Sequence, residues 1–144
     1  MSDGASALIL QSEQSLQSSG TQAIAKLIQH TTHSRQPSEF TIAPIDAIEQ
    51  LLQRVSWTVD DVDLFEINEA FAVVSLVTIQ ELKLDASKVN LYGGACALGH
   101  PIGSSGSRII VTLINALKRT GGKRGIAALC IGGGEATAIA VELC

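Results

Sequence analysis

Residues Gly93 to Gly106 read GGACALGHPIGSSG, and no other stretch limits the fold of this chain as strongly. Five of the thirteen glycines fall within these fourteen positions, around a single histidine. Glycine at that density suits backbone that turns tightly or lets a ligand approach closely, and it would be costly in a mere connector. His100 stands between Gly99 and Pro101, which fix the local chain and leave the imidazole unobstructed. Lys88 to Tyr92 reads as a short strand leading in, and Ile109, Ile110, Leu113, Ile114 and Leu117 recur at helical spacing leading out. Strand, glycine-rich turn and helix in that order form the ligand-binding edge of an α/β sheet. The stretch is therefore an expected active-site loop.

The rest of the chain supplies the same alternation of elements. SDGASALIL, after Met1, reads as a turn entering a buried strand. Glu13 to Gln17 reads as a short helix closed by Gly20, and residues 23–30 as a half-buried strand with His30 and His33 at its polar end, both expected at the surface. Thr31 to Thr41, polar and carrying Pro37, is an expected loop. Pro44 suits the first turn of a helix, where its missing N–H costs nothing. Ile45, Ile48, Leu51, Leu52 and Val55 then form one apolar stripe opposite Asp46, Glu49, Gln50, Gln53 and Arg54. Trp57 and the acidic turn at Asp60 and Asp61 precede a compact strand over 62–67. Asn68 and Glu69 follow at its carboxyl end. Residues 70–82 are apolar on nearly every face, which predicts a helix buried between layers or against a partner subunit. Gly121 and Gly122 stop the helix after the glycine loop. Residues 125–131 and 136–143 then read as an antiparallel hairpin on an otherwise parallel sheet. The expected class is α/β, a layered fold with a mixed, mostly parallel sheet, a C-terminal antiparallel hairpin and helices on its faces.

With 144 residues, one domain and one core are expected. Aromatic residues make up 3%, so that core is built from aliphatic and small side chains. A net charge of −4 with no concentrated basic patch argues against nucleic acid or an anionic membrane surface as the main partner. Lys118, Arg119, Lys123 and Arg124 read as a solvated helix end and turn, with a phosphate contact as the alternative. No run of eighteen apolar residues exists, and the N-terminus lacks a secretory pattern. Three sparse cysteines, Cys96, Cys130 and Cys144, fit a reducing compartment, so a cytoplasmic location is expected.

Asn68, His100 and Cys130 each follow or end a predicted strand, and parallel strands bring their carboxyl ends to one edge. A neutral histidine takes a proton from a nucleophile, an asparagine holds a water or donates to an oxyanion, and a cysteine shuttles a proton. The glycines after Cys130 would present backbone N–H groups to a developing oxyanion. Taken singly, each residue has a plainer reading: Cys130 alone suits core packing, and His100 alone suits a structured turn. Cys96 and His100 are four apart, but the intervening glycine and the following proline prevent one helical face, so no metal site is expected. GxGxxG is absent, which argues against a dinucleotide loop.

Together NEAF at Asn68–Phe71, GGACALGHPIGSSGSR at Gly93–Arg108 and CIGGG at Cys130–Gly134 resemble the thiolase family, and within it the acetyl-CoA acetyltransferases. The likeness runs through nearly all of the chain. It implies a reversible Claisen chemistry on coenzyme A thioesters, with no other cofactor: two acetyl-CoA give acetoacetyl-CoA and CoA, or a 3-ketoacyl-CoA is split by CoA. It assigns His100 to activating a cysteine nucleophile, Cys130 to removing a proton from the second acyl-CoA, and Asn68 to holding a water that polarises the thioester oxygen. The backbone N–H of Gly132 joins a second oxyanion site, and Phe71 lines the acyl pocket.

Thiolases are considerably longer, with two similar halves and a loop region that grips CoA, and the acyl-accepting cysteine belongs to the first half. Neither Cys96 nor Cys144 occupies its place. Residues 1–144 are therefore expected to be a thiolase C-terminal domain, whose partners are an acyl-CoA, a second copy, or a complementary thiolase half. A non-catalytic association module and a stand-alone cysteine hydrolase using Cys130 and His100 are the competing readings.

Overall fold

In a computed structural model, which describes residues 2–144, five α-helices accompany one four-stranded sheet among the described residues. In chain order the elements are α1 (Glu13–Ser19), β1 (Ala25–Ser34), α2 (Ala43–Val55), β2 (Leu64–Ile67), α3 (Ala72–Leu82), α4 (Ala95–Leu98), α5 (Ser105–Thr120), β3 (Arg124–Cys130) and β4 (Glu135–Leu143). Strand order is β1-β4-β3-β2. β3 and β4 form the expected antiparallel hairpin, but β1 also pairs antiparallel with β4, and only β2 and β3 run parallel. The sheet is mixed and mostly antiparallel, which corrects the expected balance of strand directions.

Segment 88–92 explains much of that difference. It contributes one parallel bridge, Phe65 to Val89, and no strand. Asn90 turns into the left-handed region at φ 49. Its amide N–H donates to Phe65 O, while its side chain accepts from Ile67 N (2.8 Å) and donates to Ile67 O (2.9 Å). A carboxamide thus takes the place of the next strand residue and satisfies the free edge of β2.

Strand alternation divides the apolar residues into two layers, where a single core is expected from chain length. Phe65, Ile67, Ile126, Ala128, Cys130, Ala136, Ala138 and Ala140 meet Ala43, Ala47, Ile48 and Leu51 of α2 on one face. Leu64, Ala127 and Val141 meet Ile109, Leu113 and Leu117 of α5 on the other. Alanines dominate the inner positions of β3 and β4, so α2 lies close against the sheet. That matches the expected aliphatic, small-residue core.

Three expectations need correction. The polar segment from Thr31 continues β1 to Ser34, because its backbone pairs with Glu135–Ala138, and a 3-10 turn follows at Pro37–Glu39. Residues 5–11 form no strand, and Ile9 and Leu10 are exposed rather than buried. α3 buries only Val74, Ser75 and Thr78, leaving Phe71, Val73 and Leu76 exposed, since one side alone meets the α2 layer. It is not enclosed between layers within this chain. The basic cluster is largely occupied locally: Arg124 pairs with Glu142 and stacks on Trp57, Lys123 reaches Glu142, and Arg119 lies over Tyr92.

Candidate active site

The parallel pair β2/β3 defines the edge at which the predicted residues meet. Asn68 N donates to Ala128 O at 2.9 Å, which continues the register Ile67 to Ala128 beyond the end of β2. Cys130 lies two residues farther along β3, paired with Ala136. Both side chains are buried. Alternation also sends Leu64, Glu66 and Asn68 to one face, the face covered by α5. There Arg108 reaches Asn68, its Nη2 donating to Oδ1 at 3.4 Å.

His100 reaches this edge through its loop and not from a strand end. Glu69 ties the loop down: its carboxylate accepts from Asn90 Nδ2 at 3.1 Å and from Cys96 N at 3.1 Å, at the start of α4. A side chain on Gly94 would meet that carboxylate and push it off its two donors, so glycine lets Glu69 approach the loop closely there. After α4, Gly99 adopts φ 90 and aims the chain back toward β2. The imidazole then contacts Asn68 Nδ2 through Nε2 at 3.4 Å and Ser105 Oγ through Nδ1 at 2.6 Å. Ser105, buried in the first turn of α5, donates its hydroxyl to Pro101 O at 3.0 Å.

Asn68 and His100 are therefore brought into contact, and Cys130 shares their edge without a hydrogen bond to either among the described residues. Burial pushes the Cys130 thiol up, against a smaller opposing pull from a backbone hydrogen bond. Beyond it, Ile131 to Gly134 form a turn closed by Gly134 N donating to Ile131 O at 3.0 Å. Gly132 has open space where a side chain would point. Among the described residues no acceptor meets the N–H of Gly132 or Gly133. Phe71 lies edge-on to Phe40 with centroids 6.1 Å apart and is 58% exposed, so it borders the surface.

Glu66, Ser105 and Arg108 escaped the sequence reading. Glu66 is buried and its carboxyl is pushed up to about 7, chiefly by desolvation and further by Glu69, with the Arg108 charge opposing. Nε and Nη1 of Arg108 are buried without a hydrogen-bond partner. The signal was present: Glu66 is the one charge within LFEI, two residues before Asn68, and Arg108 stands immediately before the apolar run of α5.

A sequence profile described as the thiolase C-terminal domain matches residues 21–143. The chain belongs to the thiolase family. The cytosolic acetyl-CoA acetyltransferase of Mus musculus is 47% identical over 142 residues, 99% of this chain and 36% of that protein. The crystal structure of the Bacillus anthracis acetyl-CoA acetyltransferase superposes with a TM-score of 0.90 at 44% identity, covering 92% of this chain and 34% of that one. A thiolase of Ascaris suum, solved in complex with coenzyme A, superposes at 0.88 with 44% identity over the same shares. This thiolase sequence thus spans about a third of the length of the relatives it matches.

Proposed function

We propose that this chain is the C-terminal half of an acetyl-CoA C-acetyltransferase, acting by Claisen condensation of acetyl-CoA or thiolysis of a 3-ketoacyl-CoA. The observation that carries the reading is the Asn68–His100 contact at the sheet edge that also ends in Cys130 and its open glycine turn. Carbanion formation beside a thioester needs a base together with oxyanion donors, and this edge offers both. His100 takes the proton of the nucleophilic cysteine. Asn68 holds a water against the thioester oxygen, and the Gly132 N–H supports the second oxyanion. Cys130, resting as a thiol because burial raises it, yields a strong conjugate base for the Cα proton. Phe71 borders the acyl-binding region. An acyl-CoA substrate is supported by the coenzyme A complex of the Ascaris relative, and a cytosolic setting by the name of the mouse relative.

Turnover also needs an acyl-accepting cysteine, which the family resemblance places in the other half. Cys96 is a poor substitute: desolvation raises its thiol first and the neighbouring Glu69 charge raises it further, so little thiolate exists near neutrality. Exposed Ile9 and Leu10 and the outer face of α3 supply apolar surface for the complementary half or a second copy. That same surface favours the second reading, an association module without turnover.

Assaying thiolysis of acetoacetyl-CoA by the chain with and without a nucleophile-bearing thiolase first half separates these readings. Activity only in the mixture is expected. A bound but silent mixture favours the association module. Thioester hydrolysis by the chain alone, lost in Cys130→Ser, would instead favour the hydrolase.

A further inference from the structure

Five groups form one unbroken line through the site: the Arg108 guanidinium, the Asn68 carboxamide, the His100 imidazole, the Ser105 hydroxyl and the Pro101 carbonyl. Neighbours along it are separated by 3.4, 3.4, 2.6 and 3.0 Å. The three middle groups can each both donate and accept, the carboxamide and the imidazole at different atoms and the hydroxyl at its one oxygen, so alone they could order their hydrogens in either direction. The two ends cannot. A guanidinium only donates, and a backbone carbonyl only accepts.

We infer that Arg108 is a positioning residue which, acting through Asn68, holds His100 in its Nδ1–H tautomer. Because Arg108 must donate, the Asn68 atom facing it is Oδ1, and the amide NH2 is turned toward His100. Nε2 must then accept, so the imidazole proton sits on Nδ1 and is donated to Ser105 Oγ. Ser105 passes its own hydrogen to Pro101 O. Nε2 carries the lone pair, held by the Asn68 NH2 across the long 3.4 Å contact until it is released to take a proton, which is the protonation state a base needs. Arg108 is itself held beneath the site, with Nε and Nη1 buried and without a hydrogen-bond partner, so Asn68 Oδ1 is the acceptor its guanidinium has there. The catalytic consequence rests on the thiolase reading, whereas the tautomer does not.

Long-range proton–nitrogen correlation spectra of the uniformly nitrogen-labelled chain, at a pH where His100 is neutral, test the proposal without turnover. The native chain is expected to show Nδ1 protonated and Nε2 bare. Arg108→Gln, whose amide can donate or accept, should give a mixture of tautomers, and Arg108→Lys, again donor-only, should restore the native form. A native chain with Nε2 protonated overturns the inference, as does a folded Arg108→Gln variant with an unchanged His100 spectrum. Where Arg108→Gln does not fold, the Lys variant decides: the native tautomer upholds the inference and a mixture overturns it. In a two-chain enzyme Arg108→Gln should lower kcat by up to about 100-fold with KM little changed. A silent two-chain enzyme with the expected tautomer contradicts the functional reading and leaves the positioning role standing. An active one with the wrong tautomer does the reverse.

Discussion

The two ends of the site, His100 and Cys130, are held by opposite means. His100 is fixed by side chains from the end of β2 and from α5, each hydrogen bond depending on the next. Cys130 is fixed by strand pairing and by a glycine turn whose anchor is backbone: Arg35 N donates to Gly134 O at 3.0 Å. The difference follows from what each end supplies. A histidine base needs one tautomer and one orientation, which only a network of directional partners selects. An oxyanion site needs backbone N–H groups left free and space in front of them, which side chains would obstruct.

Breaking the first end should show as a pH effect. Glu66 has its carboxyl raised from the ordinary 4.5 to about 7, so the folded chain binds this proton more tightly than the unfolded one. The linked stability is fully present below the unfolded value and is lost as pH rises through about 7, a total of about 3 kcal/mol. Denaturant titrations should therefore show the native chain losing about 2–3 kcal/mol relative to Glu66→Gln between about pH 5 and about pH 8. Parallel pH profiles for the two would mean that Glu66 is not a buried acid.

Two glycines sharpen the contrast at the second end. Gly134 has φ 105, and a side chain there would land on the Arg35 carbonyl oxygen. Gly134→Ala should cost about 1–3 kcal/mol, read as a lowered melting temperature. Gly132 faces open space, and Gly132→Ala should stay within about 0.5 kcal/mol of native stability. In a two-chain enzyme any loss of rate in the Gly132 variant is then a local effect on the site. Equal stability losses in both variants would show that the turn is held as one rigid unit instead of at its Arg35 anchor alone.

How much of this was legible in the chain depends on the range of the interaction involved. α2 follows from Pro44 and its apolar stripe, α5 from the recurrence through Leu117, and the closing hairpin from two apolar runs around glycines. The meeting of Asn68 with His100 was also foreseeable, though by a partly wrong route. It was expected from a parallel sheet, and the structure achieves it with one parallel pair plus a loop anchored by Glu69 and Asn90. Strand direction was not legible, because β1 pairs with β4 across more than a hundred residues and alternation alone does not tell parallel from antiparallel. The exposure of α3 was hidden for a related reason. Composition reports that a helix has apolar faces, not whether its own chain covers them. Glu66 and Arg108 carry no motif of their own, and only their shared position shows them: Glu66 and Asn68 lie on the face that α5 covers, where Arg108 reaches Asn68.

The most direct test of the account is wash-in of solvent deuterium at the acetyl methyl of acetyl-CoA, which reports proton removal at that carbon without requiring a full condensation. No exchange is expected with the chain alone. Exchange should begin when a nucleophile-bearing first half is added, and it should vanish when Cys130→Ala replaces the native chain in that mixture. Exchange that continues undiminished in the Cys130→Ala mixture would contradict the assignment of Cys130 as the base at this sheet edge.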